Sequence, residues 1–395
     1  MVVGATCQQA ASQKMADIKS LSGSDTSDIS LDTVIIDEAA RATPLDLFIP
    51  MSMASKWVIL VGDDRQLPHM LEPEVEAQLQ DEHELSILQK EAFKLSLFER
   101  LRIKLQDLQK LDNKTRIIML DTQFRMHPIL GEFISQQFYE PLNLGKVYSG
   151  RKAEDFAFDD SFLKKLNELR VFYENKVCQW IAVPPSSGAS KRLGTSLVRE
   201  CEAEIIANEV RKILEAGNGK VSIGVISFYA AQCDLILQKL ANENVNGIPI
   251  TYKRNGTYDI SEEFKTVIKQ KKDGSNYKEE GLRVGSVDAF QGKEFDIVLL
   301  SCVRILPSSK HLSRLLAGSE TTDVEGMREI EESVLNRIFG FLRLPNRMNV
   351  AMSRQKQMLI CVGDNTLVEH VEARRAIPAL SNFYELCGGE YGSIR

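Results

Sequence analysis

The chain has 395 residues, 43% of them hydrophobic and 26% charged, with a formal net charge of −6. That length exceeds a single core and points to two domains, while the charge excludes a global basic field and leaves only a local basic channel for contact with phosphates. No signal peptide or transmembrane stretch is visible, and the seven cysteines are scattered without a C-x-x-C, which argues against a zinc site or disulfide framework and for the reduced thiols of an intracellular, cytoplasmic chain.

In chain order, Met1 to Cys7 reads as a strand-like run ending in polar residues, and Ser20 to Ser30 as a Ser/Gly/Asp loop. Thr33-Val34-Ile35-Ile36 places four β-branched residues in a row, the pattern of a short buried strand of a parallel sheet. Asp37-Glu38 follows at once. Ligands of open α/β sheets sit outside the carboxyl ends of strands, so this pair suits holding a metal and polarising a water. The alternative is two surface acids opening the next helix. A helix-like run from Pro44 to Met53 and a second buried strand, Trp57 to Val61, ending in Gly62-Asp63, complete a βαβ unit.

Glu72 to Glu84 is acidic and polar, and Leu85 to Leu111 has helical periodicity. There Ser96-Leu97-Phe98-Glu99 fits a capping box, and Leu97, Leu101, Leu105, Leu108 and Leu111 form a packing stripe. Arg116 to Leu120 resumes a strand, and Ile129 to Phe138 a helix. Residues from Arg151 to Arg192 are loosely patterned. Glu200 to Glu215 reads as an amphipathic helix, Val221 to Ser227 as a strand and Ala230 to Leu240 as a helix. The lysine-rich stretch from Lys265 to Arg283 reads as a solvated loop. Strands follow at Leu282–Val287 and Ile297–Cys302, then an irregular insertion from Leu306 to Gly326, a helix opening at Arg347, and a strand at Met358–Val362. The expectation is an α/β chain with mainly parallel sheets: a first domain over 1–119 with a helical insertion at about 70–112, a second over 120–372, and a tail over 373–395.

Five segments carry chemistry-bearing residues: Asp37-Glu38-Ala39-Ala40, Gly62-Asp63-Asp64-Arg65-Gln66-Leu67-Pro68, Gln123-Phe124-Arg125-Met126-His127-Pro128, Val287 to Glu294, and Arg347 to Arg354. Their order and content resemble motifs II to VI of superfamily 1 helicases, in the 5′→3′ group that holds the nonsense-mediated-decay RNA helicase and senataxin. Ser96 to Leu101, Phe138-Tyr139, Gly194-Thr195-Ser196 and Phe228-Tyr229-x-x-Gln232 support the match, which runs from about residue 1 to 365. The resemblance implies two RecA-like domains, the first incomplete, acting on single-stranded RNA or DNA with ATP and Mg²⁺.

The resemblance also implies roles. Asp37 would hold Mg²⁺ and Glu38 orient the attacking water. Gln66 would sense the γ-phosphate, and Arg125 and Arg354 would reach it as arginine fingers. Phe124, which stands where the family usually has Tyr, would stack on the adenine, and Gln123 would belong to the same cofactor-binding segment. Glu294 would accept from the ribose, and Gly292 would let the backbone come close. Thr6, Thr195 and Ser286 would lie along the nucleic-acid backbone. Each has a plainer alternative: Gly292 as a turn, Phe124 as packing, Arg125 as the partner of a carboxylate, His127 as structural. His69 departs from the family's Pro.

The family's phosphate loop, G-x-x-x-x-G-K-[ST], is absent: the three Gly-Lys pairs continue with Val147, Val221 and Glu294. The sequence therefore suggests that a protein partner or another segment supplies this loop and covers an exposed sheet edge. The alternative is a helicase-like binding module that does not hydrolyse ATP.

Overall fold

The computed structural model describes residues 2–12, 15, 17, 31–68, 95–169, 176–271, 273–308 and 324–395, with the side chains of 324–331 left out. Two compact units emerge, Met1–Met119 and Leu120–Arg395. The sequence expectations for Ser20–Ser30, His69 and Glu72–Glu84 lie outside the described residues.

The first unit begins with helix α1 (Cys7–Ala10) in place of the expected strand. Thr6 Oγ accepts from the Gln9 N–H and the Thr6 N–H donates to Gln9 Oε1, both at 3.2 Å. This capping box starts a helix and outweighs the short apolar run before it. Strand β1 (Leu31–Ile36) and strand β2 (Ala54–Leu60) pair in parallel, connected by helix α2 (Pro44–Met51). The Thr43 hydroxyl caps α2 by accepting from the Asp46 N–H at 3.2 Å. Val34 and Ile36 pack with Ala10, Leu47 and Met53, whereas Ile35 is 66% and Trp57 68% exposed. The strands expected to be fully buried thus bury at most one face. A parallel strand is enclosed only when layers cover both faces, and among the described residues β1 and β2 have no third strand beside them.

Helix α3 (Leu97–Asp112) forms half of the expected capping box: Ser96 Oγ accepts from the Glu99 N–H at 3.0 Å, but the Glu99 carboxylate pairs with Arg65. Its leucine stripe is not a buried seam; Leu97 packs on the first unit's core, while Leu111 is 83% exposed. The strand expected at Arg116–Leu120 does not form. Ile118 and Leu120 lie exposed outside any strand, and pairing begins only at Thr122–Gln123, opposite Tyr148–Ser149.

The second unit is built on a parallel sheet of six strands. In chain order these are β3 (Cys178–Ala182), β4 (Ile223–Ser227), β7 (Leu282–Ser286), β8 (Phe295–Ser301), β9 (Gln355–Gly363) and β10 (Gly392–Ile394). A hairpin, β5 (Thr266–Gln270) with β6 (Asn276–Glu280), lies between β4 and β7. The spatial order is β7-β4-β8-β9-β3-β10. One register row runs Gly285, Ile226, Leu300, Cys361, Trp180, Ile394. Helices α4 (Pro128–Phe138), α5 (Glu200–Gly217), α6 (Ala230–Leu240), α7 (Val324–Phe339), α8 (Pro345–Met352) and α9 (Pro378–Cys387) accompany it. Ile206, Val210 and Ile213 of α5 bury their face against Val225, Leu299 and Ile360, as an amphipathic helix on an all-apolar strand face must.

Three sequence expectations need correction here. Strand β3 lies inside the stretch read as loosely patterned, because Gln179 interrupts its apolar run; that side chain is nonetheless fully buried. The lysine-rich loop is the β5–β6 hairpin, whose Ile268 N–H donates to Gly219 O at 3.1 Å. Of the insertion read as irregular, residues 309–323 lie outside the described residues, and helix α7 begins at Val324. Residues 373–395, read as a tail, form a short helix, α9 and the sixth strand β10. Arg395 anchors the end, its Nη2 lying 2.6 Å from Oε2 of the buried Glu209.

Candidate functional site

In the first unit, Asp37 and Glu38 follow the last residue of β1 and are exposed. Asp37 Oδ1 accepts from the Glu38 N–H at 2.9 Å, and Glu38 sits at φ 54°. A left-handed backbone at a glutamate is uncommon and marks a sharply turned strand end. The Gly62 loop is packed against it: the Ala39 N–H donates to Val61 O at 2.9 Å, and a Cβ on Gly62 would lie 2.8 Å from Ala40 N. Gln66 belongs to that loop, its Nε2 donating to Asp63 Oδ2 at 2.7 Å. The same loop is tied to α3, since Asp64 pairs with Arg102 at 2.7 Å and Arg65 pairs with Asp64 and Glu99. Asp37, Glu38 and Gln66 are therefore brought to one turn and its neighbouring loop. The exposed carboxylates are hard oxygen donors of the kind Mg²⁺ takes together with phosphates. Among the described residues, no group of three or more His, Cys, Asp or Glu side chains makes a metal cage.

In the second unit, Arg125, Glu294 and Arg354 meet at the amino end of the sheet, where β8 and β9 begin. Arg125 Nε lies 3.1 Å from Glu294 Oε2 and its Nη1 donates to Ser353 O at 3.2 Å. Lys356 Nζ lies 3.3 Å from the other Glu294 oxygen and 3.0 Å from Glu279 Oε2 on the β5–β6 hairpin. Burial pushes the Glu294 carboxyl up, but Lys356 and Arg125 outweigh it and hold it below the usual value. Burial likewise lowers Lys356, and the Glu279 contact, with Asp296 and Glu294, more than reverses it. Arg354 is almost wholly buried, its Nε donating to Val350 O at 3.1 Å and its Nη2 bonding Ser353 Oγ at 2.8 Å. Gly292 holds φ 74° with open space where a Cβ would stand. The turn requires glycine, and the backbone there is approachable.

Gln123 and Phe124 separate in role. The Gln123 amide is committed to its own loop, accepting from the Met126 N–H at 2.7 Å and donating to Met126 O and Ser149 Oγ. The Phe124 ring lies over Gly150, where a Cβ would come within 2.2 Å of it, and is otherwise 61% exposed. His127 caps α4 through Nδ1, with burial lowering its pKa, which agrees with the structural alternative.

Ser286 lies at the opposite, carboxyl end of the sheet, level with Ser227 and Ser301. Thr195 sits in a hairpin turn whose next residue, Ser196, accepts from the Ala231 N–H at the start of α6. Both thus belong to the end of the sheet far from Glu294, seven residues along β8 or roughly 23 Å away. Thr6 is in the first unit, its hydroxyl serving as the cap of α1.

Sequence reasoning missed a buried polar network under that carboxyl edge. Arg199 and Glu202 are both fully buried and paired at 2.9 Å. Arg199 also donates to Val183 O, Pro184 O and Gly188 O, while Glu202 Oε2 accepts from Ser301 Oγ and the Val303 N–H. Burial pushes the Glu202 carboxyl up despite Arg199. Lys356 was also missed; its signal was its place two residues after Arg354.

A parallel α/β sheet, an acid pair at a strand end and an arginine–glutamate cluster at the amino edge of a second sheet fit one class. Profiles described as AAA domain match residues 1–72 and 93–366, and the chain belongs to the AAA-domain family of superfamily 1 helicases. It is 29% identical over 333 residues to the regulator of nonsense transcripts 1 homolog of Neurospora crassa, covering 84% of this chain and 22% of that protein. With the ATP-dependent helicase NAM7 of Saccharomyces cerevisiae it shares 29% over 347 residues, covering 86% and 26%. With the ATP-dependent helicase upf1 of Schizosaccharomyces pombe it shares 30% over 341 residues, covering 86% and 27%. The chain spans about a quarter of the length of these relatives. Among the described residues no helix is long and apolar enough to cross a membrane.

Proposed function

We propose that this chain is the motor portion of an ATP-dependent helicase or translocase acting on single-stranded nucleic acid, RNA ahead of DNA, in the cytoplasm. The observation that carries the reading is the grouping of Asp37, Glu38 and Gln66 at one strand end, with Arg125, Glu294 and Arg354 gathered at one sheet edge. Two relatives are named ATP-dependent helicases, which supports ATP as the nucleotide. Seven free cysteines suit a reducing compartment.

In this mechanism Asp37 would hold Mg²⁺, which would supply neutralisation of phosphate charge. Glu38 orients the water, and its turned backbone fixes where the carboxylate points. Gln66, steadied by Asp63, reads the γ-phosphate. Arg125 leaves Glu294 for the γ-phosphate, joined by Arg354, because a planar permanent cation matches the charge that develops there. Phe124 offers its exposed face to the adenine, with Gln123 shaping the loop. Gly292 opens the backbone, and Glu294 turns to the ribose. Thr6, Thr195 and Ser286 contact the nucleic-acid backbone without reading sequence.

The phosphate-cradling loop comes, in this proposal, from another polypeptide segment that also covers the open face of β1 and β2. The exposed Ile35, Trp57 and Ile59 support that. The test is ATP hydrolysis by the purified chain, alone and mixed with a phosphate-loop fragment of a relative, each with and without single-stranded RNA and DNA. Hydrolysis stimulated by nucleic acid in the mixture bears the proposal out. Nucleic-acid binding with no hydrolysis under any condition overturns it in favour of a non-hydrolysing helicase-like module.

A further inference from the structure

The β5–β6 hairpin lies outside every motif, yet it supplies charged side chains to the Glu294 cluster. Its Glu279 holds Lys356 Nζ through both carboxylate oxygens, at 3.0 and 3.1 Å, and the same ammonium lies 3.3 Å from Glu294 Oε1. On the neighbouring strand Lys269 pairs with the buried Asp296, which also accepts from the Ser222 N–H at 2.7 Å. The hairpin's Glu279 meets Lys356 and its Lys269 meets Asp296, so the hairpin is charge-matched to the strands it lies against. Lys356 does more than bridge carboxylates. Its carbonyl accepts from the His127 N–H at 2.8 Å, tying it to the segment that carries Arg125. One residue therefore touches the hairpin, the Glu294 segment and the Arg125 segment.

The Lys356 side chain is only 17% exposed, so its contacts are little screened. It has three donors, and two carboxylates face it. When Arg125 moves to a phosphate, Glu294 keeps a cation on Oε1 and Oε2 becomes available in a fixed place.

We propose that Lys356, braced by Glu279 of the hairpin, is the positioning residue that fixes Glu294 for recognition of the nucleotide's ribose. This rests on the nucleotide site described under Proposed function. Lys356 itself touches no substrate; it sets the geometry of the carboxylate that does. Glu279 acts one contact further out. The hairpin is thereby part of the nucleotide site's support.

The experiment compares binding of ATP and 2′-deoxy-ATP to the full chain mixed with the phosphate-loop fragment, by competition against a fluorescent ATP analogue, for wild type, Lys356→Met, Lys356→Arg, Glu279→Gln and Glu294→Gln. Wild type prefers ATP, and Lys356→Met and Glu294→Gln each reduce the preference about fivefold, the size of one net hydrogen bond. Lys356→Arg restores most of it, and Glu279→Gln gives a smaller fall in the same direction. A merely structural role would lower melting temperature without touching the ratio of the two nucleotides. If Lys356→Met does not fold, Glu279→Gln on the exposed hairpin carries the test. Wild-type preference retained in every folded variant overturns the proposal and leaves the nucleotide site standing. No binding of either nucleotide to wild type, with the phosphate-loop fragment present, removes the nucleotide site and this inference with it.

Discussion

Arg125 and Glu294, 169 residues apart in sequence, face each other at 3.1 Å, and Lys356 closes the cluster on the carboxylate's other side. The pair holds a guanidinium at the sheet's amino edge in a place where it can exchange one anion for another. Such an exchange conserves charge, so it is cheap when a phosphate arrives and reverses when it leaves.

Removing that guanidinium separates catalysis from folding. The Arg125 side chain is 31% exposed, and its ion pair is a partly solvated one. Arg125→Ala is expected to cost at most about 1 kcal/mol of stability, while cutting ATP turnover in the completed enzyme by about a thousandfold. Steady-state hydrolysis and a melting curve on the same sample check both. Turnover within a few fold of wild type would count against the finger role.

Glu38→Gln keeps the size and the left-handed turn at φ 54° but removes the charge. ATP binding is expected to persist and turnover to vanish. Undiminished turnover would take Glu38 out of its role. Binding titration beside hydrolysis distinguishes the two.

Acid should dismantle the cluster at the amino edge. Burial raises the Glu294 carboxyl, but Lys356 and Arg125 overcome this and lower it in the folded state. A carboxyl lowered by folding adds stability above its unfolded pKa, and loses that contribution as pH falls through the folded value. The stability difference between wild type and Glu294→Gln, from urea unfolding, should be level near neutrality and shrink below roughly pH 4. A difference that grows on acidification would contradict the assignment.

The buried Arg199–Glu202 pair should matter to folding more than any surface pair. Arg199→Met leaves Glu202 and three main-chain carbonyls without their cation. A loss of about 3–5 kcal/mol is expected from urea unfolding. The double variant with Glu202→Gln should cost less than the sum of the single ones, because the charges compensate each other.

Thiol labelling tests the packing of the second sheet. Cys178, Cys233, Cys302, Cys361 and Cys387 are buried and Cys7 and Cys201 partly exposed. Burial pushes the Cys233 thiol up to about 12 and holds Cys302 and Cys361 well above the usual thiol value. In the native protein at pH 8 an alkylating reagent should modify Cys7 and Cys201 first, with the other five reacting only on unfolding.

The sequence by itself determined the alternation of strands and helices and the residues that could do chemistry. Runs such as Ile297 to Cys302 and periodic stretches such as Glu200 to Glu215 encode burial locally, and Asp37-Glu38, Gln66, Arg125 and Arg354 stand in an order that chance does not produce. What needed the tertiary structure was everything set by partners distant in the chain. Strand β3 was unreadable because a buried Gln179 breaks its pattern, and only its neighbours β9 and β10 make it a strand. The hairpin from Thr266 to Glu280 looked solvated because its lysines are polar one by one; Asp296 is the anion that draws Lys269 inward. Residues 373–395 looked like a tail because β10 is three residues long and gains its hydrogen bonds from β3. Hydrophobic period is a local property of a chain, whereas charge pairing and strand pairing are properties of a surface that exists only once the chain has folded.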